Sequence, residues 1–246
     1  MPFCLLSKKR YVGMLYEDDV EKCKRKSMGI VLKRRDNAPI VKDVYGGIID
    51  ILMKEQDVTK AIEFLKQSLS DIVDGKYSEN KFIITKSLRS NYKNPNQIAH
   101  KVLANRMGQR DAGNKPKSGD RIPYMYFVQK QKVKLQGDKI ETPEYIKENK
   151  LDIDYEFYIT NQIMKPTLQI FALVLESIPA YKRNIKNLNL KLETLKHTIK
   201  DEDKCIKKTT DLRNKEANTL IFGDIMRLIK NKKQGIKSLT SFFGKK

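Results

Sequence analysis

The chain has 246 residues, 39% of them hydrophobic, enough for one large domain or two small ones with a buried core. Its 50 Lys and Arg outnumber its 30 Asp and Glu, and the formal net charge of +20 favours phosphate polymers or anionic membrane surfaces as partners. Three scattered cysteines, two histidines and no run near the ~20 apolar residues of a membrane span argue against a zinc cluster, a disulfide framework and a transmembrane segment, and MPFCLL is too short and lacks the basic start of a signal peptide.

Residues 3–16 alternate and are β-prone, which predicts a strand, hairpinned with the segment around Gly29-Ile30-Val31-Leu32. The intervening EDDVEKCKRKS reads as a charged, solvated loop. Asp36 or Asn37 is expected to cap a helix with Pro39 in its first turn. That helix runs to about Lys54 and carries Ile40, Val44, Ile48, Ile51 and Leu52 as a stripe, with Gly46-Gly47 suited to close packing. A second helix is predicted from Val58 to Asp74, ended by Gly75. Phe82-Ile83-Ile84 reads as a strand, Asn91 to Asn96 as a turn, Gln97 to Met107 as a helix and Gly108 to Asp120 as a polar loop. Ile122 to Val128 is a strand, with a further candidate near Val133-Lys134-Leu135. Leu151 to Glu176 is helical, interrupted near Pro166. Residues 181–233 predict one or two long helices with a seam through Ile185, Leu188, Leu192, Leu195 and Ile199.

Several cationic clusters invite an anionic ligand. In Lys8-Lys9-Arg10-Tyr11, strand alternation would put Lys9 and Tyr11 on one face and Lys8 and Arg10 on the other, offering an ammonium and a phenol to a sugar–phosphate edge. The alternative is an edge strand with its charges in water. Lys33-Arg34-Arg35, before a helix start, can grip a phosphate, or Arg35 and Asp36 can organise the loop. Lys86, Lys101 and Arg106 are further phosphate candidates. His100 has no second ligand at metal spacing and reads as a capping or surface residue.

Taken in order, LLSKKRYVGML, GIVLKRRDNAP, IITKSL, NYKNPNQIAHKVLANRM, GDRIPYMYF and YEFYITNQIMKP resemble the C-terminal third of the family B replicative DNA polymerases. The likeness is to DNA polymerase delta and its relatives in large DNA viruses, and it covers residues 3 to about 178. It implies an α+β, mainly helical fold: palm-edge strands over 1–33, a thumb over 34–178, a basic helical tail over 179–233 and a terminal peptide over 234–246. It also implies that Lys9 and Tyr11 hold the primer strand, flanked by Lys8 and Arg10. Arg34 and Arg35 would lie at the thumb's base, and Lys86, Lys101, Arg106 and Arg121 on its DNA-facing surface. Primer–template DNA and the N-terminal catalytic part of the polymerase are the implied partners.

The family's chemistry uses two magnesium ions on palm aspartates. The motifs bearing them precede the basic strand in family members and are absent here, and Asp18-Asp19 is not one of them. This chain is therefore expected to bind no cofactor, to supply no catalytic residue and to be inactive alone, as a truncated polymerase or one piece of a split one. The cysteine modules of polymerase delta are missing too. In their place the tail ends with Leu239, Phe242 and Phe243 spaced like a sliding-clamp-binding box, although Ile236 stands where its glutamine belongs. A stand-alone DNA-binding or clamp-binding accessory protein is the alternative. Either way the expected location is inside the cell, at the site of DNA replication in a nucleus or a cytoplasmic viral factory.

Overall fold

The computed structural model describes residues 2–16, 23–129, 131 and 133–233. They form a mainly helical body with two small antiparallel sheets. The first sheet has the order β1-β2-β3, with β1 Phe3–Ser7, β2 Arg10–Leu15 and β3 Lys24–Met28. The single strand expected over 3–16 is thus two strands. Ser7 faces Arg10, Lys8-Lys9 makes a two-residue turn, and Lys9 takes φ +64°. Tight hairpin turns require positive φ, which the alternation of apolar residues does not reveal. The partner of β2 is also corrected. Tyr11 pairs with Met28 and Leu15 with Lys24, so all of the ladder but Met28 lies inside the stretch read as loop. Residues 29–32 turn away instead. Gly29 has φ +65°, and a Cβ there would stand 2.3 Å from the Lys9 carbonyl oxygen, so a side chain is excluded twice over.

Helix α1, Pro39–Asp50, buries Ile40, Val41, Val44, Tyr45, Ile48 and Ile49 and continues as a π-turn, Ile51–Glu55. Neither Asp36 nor Asn37 caps it. Ala38 is the N-cap, and its N–H donates to Gln162 Oε1 at 3.2 Å, so a distant helix supplies the missing acceptor. Helix α2, Val58–Val73, is capped by Asp57, whose carboxylate accepts from Lys60 N–H at 2.9 Å, and ends before Gly75 at φ +69°. It buries Ala61, Leu65, Leu69 and Ile72. A Cβ on Gly47 would come within 2.4 Å of the Phe64 ring, so the close approach of α1 and α2 depends on that glycine.

The second sheet orders β4 Ile84–Ser87, β5 Arg121–Tyr126 and β6 Ile140–Glu141. Phe82 ends a 3-10 turn instead of starting a strand, and its ring packs edge-on against Tyr155 and Tyr158, each 5.1 Å away. The expected strand near Val133 is absent among the described residues, and β6 takes its place. Helix α3, Ala99–Arg110, lies against β5 and β6 and buries Leu103 and Ala104. Helix α4, Pro143–Glu148, is capped by Thr142, whose hydroxyl accepts from Tyr145 N–H at 3.3 Å.

The region expected to be interrupted at Pro166 is one run: α5 Tyr155–Phe157, a π-turn Tyr158–Ile163, and α6 Met164–Phe171. Proline has no N–H to give, and the preceding π-turn accommodates that gap without a break. Tyr158 is fully buried. Its hydroxyl donates to Phe82 O at 2.7 Å and accepts from Tyr126 N–H at 3.0 Å.

Helices α7, Ile185–Thr198, and α8, Glu202–Lys233, follow. On α7, Leu188 and Leu192 are buried, while Ile185, Leu195 and Ile199 are half-buried. Helix α8 buries Ala217, Ile221, Phe222, Ile225 and Ile229 against α2, α6 and α7. Arg213 on α8 donates to Glu176 Oε1 at 2.6 Å. One connected apolar core extends from Val12 to Ile229. Among the described residues no helix is long and apolar enough to cross a membrane.

Candidate nucleic-acid interface

The pairing of β4 with β5 sets Ser87 opposite Arg121, and the Arg121 guanidinium reaches across to Ser87 Oγ at 3.4 Å and Thr85 O at 3.3 Å. These are long contacts that orient the group without saturating its five donors. Beside it the loop before α1, the turn after β4 and the start of α3 enclose a groove of about 580 Å³. Arg35, Lys86, Arg89 and Arg121 line it, together with Tyr92, His100 and Asp36.

Two local devices shape this groove. Arg34 grips Asp36 with two parallel bonds, Nε to Oδ1 and Nη2 to Oδ2, both 3.1 Å. That hydrogen bonding holds the Asp36 carboxyl below the usual carboxylate range, with a smaller contribution from Lys86. The one acid at the groove is therefore ionised and already matched, and Arg34, not Arg35, organises the loop. At the other side Tyr92 Oη accepts from Arg89 N–H at 2.8 Å and lies 3.0 Å from His100 Nε2. The phenol proton is then free to point at His100, which suits a neutral imidazole. Burial, then the charges of Lys86 and Arg89, lower the His100 pKa. His100 is thus a half-buried prop for the turn that presents Arg89, not a surface residue.

Arg35, Lys86, Arg89 and Arg121 have no carboxylate partner among the described residues. Four unmatched cations around one concavity form a ready site for backbone phosphates. Arg35, Lys86 and Arg121 stand out in the sequence. Arg89 does not, although its three-residue spacing from Lys86 across the turn is a usable signal.

The other sequence candidates are elsewhere. Lys8 and Lys9 are exposed at the hairpin tip, so alternation does not put Lys9 on the Tyr11 face. Tyr11 is half-buried, with its ring 5.7 Å from Phe3. Arg10 lines a separate cavity of about 150 Å³ with Arg34 and Lys165. Lys101 is half-buried on α3 and does not line the groove.

Arg106 faces inward. It donates from Nη1 to Gly137 O at 3.0 Å and from Nη2 to Ile140 O at 2.6 Å. Its Nε lies 3.0 Å from Glu141 Oε1 in a geometry that is ionic and not hydrogen-bonded. The same carboxylate, 4% exposed, takes two bonds from Arg110 at 2.9 and 3.1 Å. The Arg110 guanidinium also lies 3.9 Å above the Tyr145 ring.

Among the described residues no three His, Cys, Asp or Glu side chains gather as a metal site. The three cysteines are free. Asp18-Asp19 and the terminal Leu239, Phe242 and Phe243 lie outside the described residues.

The chain is 52% identical, over 98% of its length, to a DNA polymerase of Pyramimonas orientalis virus, of which it covers 20%. It is 38% identical over 71% of its length to the DNA polymerase delta catalytic subunit of Schizosaccharomyces pombe, covering 16% of that protein. Its share of such relatives ranges from 10% to 25% of their length. The family B DNA polymerase of the archaeon Pyrobaculum calidifontis shares its fold, with a TM-score of 0.54 and 20% identity over 68% of this chain and 21% of that one. The family model described as DNA polymerase family B matches residues 1–174, and the chain belongs to that family.

Proposed function

We propose that this chain is the part of a family B DNA polymerase that grips primer–template duplex, with the palm carboxylates, their magnesium ions and the nucleotidyl transfer residing in polypeptide outside it. In this reading residues 1–33 are the palm edge, 34–178 the thumb, 179–233 a basic helical tail and 234–246 a peptide for a sliding clamp. The observation that carries the reading is the groove in which Arg35, Lys86, Arg89 and Arg121 converge without acid partners. Cations aimed at phosphates give affinity without sequence choice, which suits a protein that must hold every sequence it copies. In this reading the hairpin-tip Lys8 and Lys9, with Arg10 and Tyr11 behind them, are a separate basic contact for the primer strand. Action at the site of DNA replication follows from the same reading.

The deciding measurement is salt-dependent binding to a primer–template by fluorescence anisotropy. Each phosphate deprived of its cation should lower the log–log slope by about 0.9. Equal slopes for the wild type and a Lys86→Ala, Arg121→Ala double variant would refute the assignment. Deleting residues 239–246 is expected to abolish clamp retention and leave this slope unchanged.

A further inference from the structure

The first sheet treats its two edges in opposite ways. Outer strand β3 carries Lys24, Arg25 and Lys26, all exposed, the usual protection against unwanted strand pairing. Outer strand β1 opens with Phe3-Cys4-Leu5-Leu6 and has no charge along those residues. Phe3 and Leu5 are 61% and 59% exposed. Pairing polarity fixes where their backbone groups point. Met14 N–H donates to Pro2 O at 3.1 Å, so in the antiparallel ladder Pro2–Met14 and Cys4–Val12 are the bonded pairs. The N–H and C=O groups of Phe3 and Leu5 therefore point away from β2, and no described strand receives them.

Along this edge runs an uncharged groove of about 620 Å³, with Gln56 and Ser177 among its lining residues. Its far wall is Leu52 and Met53 from the π-turn after α1, with Val58, Ile170, Leu173 and Val174. No residue lining it is charged. A strand laid on β1 would exchange backbone bonds with Phe3 and Leu5 and drop alternate side chains toward Leu52 and Leu173. Nucleic acid does not suit this place, because phosphates would lose water and meet no cation.

We propose that the edge of β1 and its groove receive an extended, uncharged β-strand from the remaining polypeptide of the polymerase. The proposal rests on the polymerase reading. The relative that is 52% identical over nearly all of this chain is matched over 20% of its own length, so most of that polymerase is polypeptide of other sequence. Within one assembly such polypeptide is held at high effective concentration beside the edge, which favours it over a second copy of this chain.

Hydrogen exchange on the full chain tests this. The probe is the separately expressed part of the Pyramimonas orientalis virus polymerase that this chain does not match. On mixing, exchange of the Phe3 and Leu5 amides should slow at least tenfold. Leu5→Pro removes an outward N–H and leaves the Cys4–Val12 pair in place, and Leu173→Lys puts a charge into the groove. Each should weaken the association at least tenfold and leave the salt slope for primer–template unchanged. Unaltered exchange at Phe3 and Leu5 on mixing would overturn the proposal, as would protection that grows with the chain's own concentration and needs no partner. A Lys86→Ala, Arg121→Ala variant that still protects β1 but shows no altered slope would sink the DNA reading alone.

Discussion

Two groups of arginines and lysines, near each other in the fold, have opposite fates. Arg106 and Arg110 converge on buried Glu141 and on backbone carbonyls. Arg35, Lys86, Arg89 and Arg121 converge on a concavity whose one acid, Asp36, is held by Arg34. In composition all six count equally toward +20. The fold divides them into cations that hold the protein together and cations left to hold something else. The difference lies in the partner: Glu141, 4% exposed, pairs with both arginines of the first group and Asp138 lies 3.8 Å from Arg106, while the second is left for an external anion.

The largest expected effect lies in the first group. Glu141→Ala removes the buried carboxylate that Arg106 and Arg110 share and should cost about 3 kcal/mol of folding stability, read from urea denaturation. The salt slope for primer–template should not change. A loss below about 1 kcal/mol would show that water already satisfies these arginines. Next, Arg106→Lys keeps the charge and loses the fork that spans Gly137 O and Ile140 O, at an expected cost of about 1–2 kcal/mol. In the second group, the Lys86→Ala, Arg121→Ala pair should reduce the log–log salt slope by about 1.8 and shift the urea midpoint little. An equal stability loss in both groups would dissolve the distinction.

The smallest effect is titration of His100. Its pKa is lowered in the folded chain, so the unfolded chain binds more protons around the ordinary imidazole value of about 6.5. Stability from this site is complete above that value and falls as pH drops through it toward the folded pKa. Wild type should therefore lose stability relative to His100→Gln in acid, measured as urea midpoints between about pH 7.5 and 5. Parallel curves would show that the imidazole is free to charge in place.

What can be read in advance follows from where the information lies. Helices α1 and α2 are legible because Ile40, Val44 and Ile48, and Ala61, Leu65, Leu69 and Ile72, repeat at the helical period and all face the core. Strand β3 is not, because Lys24-Arg25-Lys26 on an open edge has the composition of a loop. The groove is legible in part. Lys86 and Arg121 stand out as residues, but nothing local tells them from Arg106, whose carboxylate partner Glu141 lies far along the chain. Side-chain identity announces a charge, while its use depends on contacts that sequence spacing does not encode. Similarly, the cap of α1 comes from Gln162, far beyond the reach of any local motif.

The π-turn Tyr158–Ile163 bears on how this fold tolerates change in length. A π-turn holds one residue more than the α-helix it interrupts, so it stores an insertion inside a continuous helix. Tyr158, at its start, is locked between Phe82 and Tyr126, while Gln162, near its end, reaches Ala38. Both anchors keep their places because the extra residue is absorbed between them. Removing Asn161, exposed in the middle of the turn, would return the helix to regular winding and rotate everything after it by about 100°. The Gln162 bond to α1 would then break, although no residue that makes it had been replaced.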